Sequence, residues 1–297
     1  MLKHHYLPTL FAMGCALAAC EPEGDDPAAA PATEAAAFVV DEGEDGFTEL
    51  PDYGHEAELV AFADDLGVDL TVNERMIVPY PDGTTEEKVL VGGDILLDVE
   101  EFERLTADDA VDPRQWRTRN LVSTPRTIRV IGYTGGGGLG LTNNQKTALR
   151  WAVNNFRALD TDLTFNLSYS SSTNGDIVVY RNPNVTRAGG AAGFPSGGKP
   201  YKWVQIYTGL NGRYSNHVVE HVMTHEIGHA IGLRHTDWYN RKSCGQNSDE
   251  GGAGVGAIHI PGTPRGIDWN SVMLACFNRD EDGEFGRYDK VAIEHLY

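Results

Sequence analysis

The chain has 297 residues, is 41% hydrophobic and carries a formal net charge of −19. That length supports one or two domains with a real core, and only the extreme N-terminus holds an apolar run worth weighing as a membrane segment. The acid excess excludes a general nucleic-acid binder, and the small basic surplus of the C-terminal part does not argue for one.

The N-terminus opens with Lys3 and an apolar run from Leu7 to Ala19, ending in Leu17-Ala18-Ala19-Cys20. This is a secretory signal over residues 1–20 rather than a spanning helix. Its end resembles a bacterial lipobox, in which Cys20 becomes the lipidated first residue. The plainer reading is ordinary cleavage near Ala19 with Cys20 incidental. Lipidation would make this an exported lipoprotein at the cell envelope or surface, or a released enzyme. The membrane would then be touched only through the lipid anchor.

Residues 21–49 are rich in Ala, Pro and acids and read as a disordered linker. Residues 50–118 read as a small acidic N-terminal domain. Glu56–Leu66 has helical spacing, Met76–Pro79 and Lys88–Val91 look like short strands, and Gly92-Gly93-Asp94 is a turn. Ile95–Leu105 reads as a second helix. "DPRQWRTRNLVS", Asp112–Ser123, has three arginines and no apolar periodicity, and marks the boundary.

Residues 119–297 form the second part. "RTIRVIGY" from Arg126, "LTFNLSY" and "DIVVYRN" alternate as strands, and Thr142–Leu159 is a helix capped by Thr142 or Asn143. Ala188–Gly198 is Gly-rich and suits an edge strand with a loop, and Lys202–Thr208 is a further strand. His217–Leu233 is a helix, and a short one closes the chain at Asp289–Tyr297. The order is mixed α and β.

Charge divides the chain. Glu21–Thr118 carries 28 Asp and Glu against 5 Lys and Arg, whereas Arg119–Tyr297 carries 15 against 18. Such asymmetry suggests parts with different duties. Of the four cysteines, Cys15 lies in the signal and Cys20 at its end. Cys244 and Cys276 remain as an even pair in an exported protein, expected to form a disulfide. The alternative is two buried thiols.

The chemistry concentrates in "THEIGHAIGLRHTD", Thr224–Asp237. His225 and His229 are four residues apart, so a helix sets both imidazoles on one face, one turn apart. Glu226 can then reach a metal-bound water without ligating the metal. Gly232 permits positive φ and a sharp helix end, after which His235 can swing back as third ligand. Three neutral imidazoles with a fourth position open describe a catalytic Zn2+ site rather than a closed structural one. The apolar neighbours Ile227, Ala230, Ile231 and Leu233 argue against surface histidines.

This HExxHxxGxxH pattern resembles the metzincin zinc peptidases, and "NSVML" supplies Met273 for the Met-turn that those enzymes place beneath the metal. HEIGHAIGLRHTD, Ser243-Cys244-Gly245, "PGTP" and "SVMLAC" are closest to the dual-action HEIGH metallopeptidases. That resemblance covers about Arg114–Tyr297. It implies an α+β catalytic domain: a twisted mixed sheet, a backing helix, an active-site helix and a Met-turn subdomain. It also implies an endopeptidase whose protein or peptide substrate binds as an extended strand along an edge near Gly189–Phe194. Where some metzincins place a ligand tyrosine, this chain has Ala275.

Zinc would polarise the scissile carbonyl and acidify its water, with Glu226 as general base and proton carrier. Asp237 is a candidate to orient a ligand histidine, or a solvated loop acid or turn former. His217 and His221 extend the four-residue series backwards. Each step of four drifts by about 40°, so both are read as structural. Asn278–Asp289 matches a calcium loop except for its last acid. The plainer reading is an acidic surface loop in which Asp289 caps the last helix.

The acidic part raises a regulatory expectation. No cysteine between Cys20 and Cys244 could close the site, but a carboxylate could, making residues 50–118 a pro-segment. Charge would favour its docking, and Arg114, Arg117 and Arg119 mark a cleavable link. The alternative is a stable accessory domain. The chain is expected to be a monomer. Competing functions are a zinc hydrolase of non-peptide amides or a self-processing enzyme, and a lipoprotein that only binds a partner. Glu226 weighs against the last, since a binding module needs no general base.

Overall fold

The structure, a computed structural model, describes residues 73–105, 116–250 and 256–297, all within one compact unit. The signal with Cys20, the linker, the helix expected at Glu56–Leu66 and Arg114 lie outside the described residues.

Three strands open the described chain: β1 (Glu74–Pro79), β2 (Thr85–Val91) and β3 (Ile95–Asp98), an antiparallel meander followed by α1 (Val99–Leu105). The single helix expected over Ile95–Leu105 is therefore a strand and then a short helix. The cause is the turn before it. Gly92 and Gly93 both adopt positive φ, 64° and 92°, which folds the chain back so that Val91 faces Ile95 and Leu90 faces Leu96. Ile95 and Leu97 then point to one side and Leu96 to the other, which an apolar run of three does not reveal.

The main sheet has five strands in the order β6-β5-β7-β9-β8: β5 (Arg126–Tyr133), β6 (Leu163–Ser170), β7 (Ile177–Asn182), β8 (Gly190–Ala191) and β9 (Trp203–Tyr207). All pairs are parallel except β8 with β9. Alternation divides its residues between two cores. Ile128, Val130, Val179, Val204 and Ile206 meet the helices α2 (Asn143–Arg157) and α3 (Asn216–Ile231). Ile131, Tyr133, Val178, Tyr180, Trp203 and Tyr207 meet Val78, Tyr80, Leu90 and Leu96 of the meander. Tyr80 stacks on Trp203 with ring centroids 4.8 Å apart. The meander is thus a layer of the same body, which explains why β9 is buried at every residue.

Helix α2 has the cap foreseen for Thr142, whose hydroxyl accepts from Gln145 N while the Gln145 side chain accepts from Thr142 N. It buries Ala148, Leu149, Ala152, Val153 and Phe156. Each large side chain among them contributes about 1.5–3 kcal/mol of burial. Of the segment expected as a boundary, Asp112–Ser123, the described residues 116–123 pack against the main body. β4 (Trp116–Arg117) pairs with β10 (Ile258–His259), Thr118 N donates to Gly232 O, and Trp116 is buried. The last helix, α4, runs Arg287–Leu296. No helix among the described residues is long and apolar enough to cross a membrane.

Candidate metal centre

Ser215 starts α3, its hydroxyl accepting from Val218 N, and the helix is buried from Val218 to Ile231. Gly232 ends it at φ 117°, with Gly232 N and Leu233 N both donating to Gly228 O. This left-handed stop reverses the chain and carries His235 back beside the helix.

Each of the three imidazoles has an acceptor on its outer nitrogen. Nδ1 of His225 lies 2.8 Å from Val272 O, Nδ1 of His229 lies 2.8 Å from Leu233 O, and Nδ1 of His235 contacts the Glu250 carboxylate. An acceptor there fixes Nδ1 as the protonated nitrogen and leaves Nε2 with its lone pair. The Nε2 atoms converge: those of His225 and His229 each lie 3.1 Å from that of His235. Three buried lone pairs aimed at one point repel one another unless a cation satisfies them. The donor set therefore fits a divalent metal, as the histidine spacing predicts.

A fourth group, not named by the sequence, completes the cluster. Asp94, in the turn between β2 and β3, places Oδ2 at 3.0 Å from His235 Nε2 and 3.4 Å from His225 Nε2. One ligand atom from each of Asp94, His225, His229 and His235 lies within 4.8 Å of the others. Burial opposes ionisation of Asp94, but the neighbouring imidazoles, His235 foremost, hold its carboxyl well below the usual range. Burial likewise resists protonation of His235, yet without a metal Asp94 and then Glu250 lift its proton affinity to about 10, so a proton on Nε2 holds the place of the cation and would be displaced by a bound metal.

Glu226 is buried one residue after the first imidazole, and its Oε2 has no hydrogen-bond partner. Burial, then the Asp94 charge, raises its proton affinity well above a free glutamate's. Its carboxylate lies against β8: a Cβ at Gly190 would stand 2.8 Å from Glu226 Oε1 and 2.7 Å from Gln205 O. Glycine there lets the sheet edge pass directly beside the base.

Met273 lies beneath the helix, where a Cβ on Gly228 would come 2.6 Å from its Sδ. Met273 O accepts from Thr236 N, joining its turn to the third histidine's strand. Asp289 braces the same turn, accepting from Ser271 Oγ, Val272 N and Gly286 N. The last acid of the supposed calcium loop is thus turned inward as a brace; it sits in the first turn of the last helix, whose N-cap is Gly286 and not Asp289 as expected. Asn278 Oδ1 and Asp282 Oδ1 accept from the loop's own amides. Cys244 and Cys276 are joined, with Cα atoms 5.3 Å apart, tying the loop after His235 to the segment after Met273.

Asp237 forms a turn, the second of the two roles open to it. Its carboxylate touches none of the three histidines and instead accepts from Ser243 N, Ser243 Oγ and Ala275 N. The orienting role belongs to Glu250, which also contacts Arg234 and Arg241. His217 stacks on Trp151 and His221 faces Glu281, so neither enters the cluster.

The family described as dual-action HEIGH metallo-peptidase matches residues 89–297. No curated protein matches. Two solved structures of myroilysin are similar. The first is 15% identical with a TM-score of 0.39, covering 60% of this chain and 82% of that one. The second is 16% identical with a TM-score of 0.36, covering 66% and 92%. Neither likeness carries chemistry to this chain. The family match takes in Asp94, the buried histidine cluster, Glu226 and the Met273 turn, and the chain is a metallopeptidase belonging to the dual-action HEIGH metallo-peptidase family.

Proposed function

We propose that this chain is an exported zinc endopeptidase that cleaves peptides held in extended form, with Glu226 as the general base. One observation carries this: three oriented imidazoles converge on a point beside a buried carboxylate with one oxygen, Glu226 Oε2, unpartnered. Zinc held by His225, His229 and His235 would supply Lewis acidity for the scissile carbonyl. Glu226 removes the proton from the attacking water and returns it to the leaving amine. The Gly190–Ala192 edge offers main-chain hydrogen bonds to an extended peptide, and the small residues let it lie close to Glu226. With Ala275 in place of a tyrosine, the residue two after Met273 contributes no phenol.

Purified protein loaded with zinc is expected to cut a peptide library at internal bonds. A chelator should abolish cleavage, and stoichiometric zinc should restore it. Loaded protein that cuts no peptide but hydrolyses a small amide would favour the non-peptide reading.

Export rests on the signal over residues 1–20, and the Cys244–Cys276 disulfide suits an oxidising compartment. We assign Cys20 as the lipid attachment site. Cys20→Ser should move the protein from the membrane to the soluble envelope fraction, and unchanged fractionation would overturn the assignment.

A further inference from the structure

We propose that His221 selects the substrate residue beside the cut bond. Its Nε2 accepts a hydrogen bond from a side chain with an apolar body and a neutral donor at its tip, a tyrosine phenol foremost. This deepens the function proposed above and rests on it.

His217 and His221 both stand outside the metal cluster, but His221 lines the cleft beside it, together with Val222, Glu226, Leu274 and Phe277. One turn of α3, about 5.4 Å of rise, separates it from His225, a distance that one side chain can span. Its Nε2 is buried and has no hydrogen-bond partner. A buried acceptor left without a partner is costly, and one that persists calls for a reason. Asp94 and Glu226 carry such atoms in the same cleft, and both belong to the metal centre. His221 does not belong to it. A donor entering the cleft would satisfy it.

The surroundings say which donor. Nδ1 of His221 lies 3.4 Å from Glu281 Oε2, and Glu281 Oε1 accepts from Asn278 N at 3.2 Å. The carboxylate keeps the ring proton on Nδ1 and leaves the lone pair on Nε2. Burial, and then the neighbouring His225, lowers the proton affinity of His221 to about 3, so the ring stays neutral. Nε2 therefore accepts and does not donate, which turns away a carboxylate tip. An ammonium would have to enter a buried place where both oxygens of Glu281 are already engaged, and an unpaired buried charge costs more than a neutral donor. The walls choose the body. Val222 and Leu274 are apolar, and the Phe277 ring lies 5.9 Å from that of His221, an aromatic surface that suits another ring.

The test uses the full zinc-loaded chain and pairs of peptides that differ only in tyrosine against phenylalanine beside the cut bond. The parent should favour the tyrosine peptide at least about tenfold in kcat/KM. His221→Phe fills the space but accepts no hydrogen bond. It should bring that ratio to about one by slowing the tyrosine peptide alone. Glu281→Gln no longer fixes the ring proton and should lower the ratio part of the way. A second readout needs no turnover. With isotope-labelled imidazole nitrogens, N-acetyl-tyrosinamide should move the Nε2 resonance that His221→Phe lacks, and N-acetyl-phenylalaninamide should not. A ratio that His221→Phe leaves unchanged, or an Nε2 resonance that tyrosinamide leaves in place, overturns the assignment. A lysine preference lost in Glu281→Gln but kept in His221→Phe also overturns it, since the loop charge would then select. A resonance moved by tyrosinamide in a chain that cuts no peptide supports the role of His221 and overturns the endopeptidase reading.

Discussion

Replacing Glu226 by Gln is expected to leave the bound zinc unchanged and to lower kcat/KM for peptide cleavage by about 10²–10⁴-fold, the range spanned by positioned general bases. Gln matches Glu in shape, so the narrow space beside Gly190 is still filled. The acceptors that orient the three imidazoles, Val272 O, Leu233 O and Glu250, are untouched. Oε2 of Glu226 has no partner to lose. What disappears is the ability to take a proton. Parent and variant should be compared at one bound zinc per chain. Metal content by elemental analysis and an unchanged melting temperature would separate lost chemistry from lost structure. Turnover equal to the parent would remove Glu226 from the reaction.

Much of this centre could be read along the chain because its parts are local. His225 and His229 share a face through helical periodicity alone, and Gly232 forecasts the reversal that returns His235. The strands at Arg126, Leu163 and Ile177 and the cap at Thr142 follow from alternation and turn chemistry. The pairing of Cys244 with Cys276 followed from elimination.

The rest depended on contacts between distant residues. Asp94 lies more than a hundred residues before the histidines it meets, and only the sheet edge brings it there. Glu250 and Asp237 are both acids downstream of His235, and spacing alone does not tell which of them meets the ring. Asp237 closes a local turn around Ser243, while Glu250 returns through the fold to reach the imidazole. Asp289 shows the same limit: its spacing fits a calcium loop, but burial assigns it to the Met273 turn.

Glu250→Ala should be the most damaging single change outside the ligands. The Glu250 and Arg234 side chains are both fully buried, with Arg234 Nη2 3.4 Å from Glu250 Oε2 and Arg241 Nε 3.8 Å from Oε1. Burial opposes the charge on Arg234, and Glu250 is the first group that offsets it. Removing one partner of such a buried network costs about 3–5 kcal/mol, because the remaining charge keeps its desolvation penalty. Burial also opposes ionisation of Glu250, but His235 and then Arg241 hold its carboxyl below the ordinary range. An acid whose folded pKa is depressed stabilises the fold above its unfolded pKa, and that contribution is lost as pH falls through the folded one. The metal-free parent should therefore lose stability on acidification below the ordinary carboxylate range, and Glu250→Ala should lose less over the same interval. Loss of the acceptor on His235 Nδ1 should weaken zinc binding by about 10–100-fold as well, since that contact sets the ring's tautomer and angle. Glu250→Gln retains an acceptor without the charge and should fall between the two. Urea unfolding of the metal-free forms across pH, with zinc affinity measured by chelator competition, reads both effects. A Glu250→Ala chain as stable as the parent, with zinc affinity unchanged, would mean that the backbone turn at Gly232 holds His235 in place unaided.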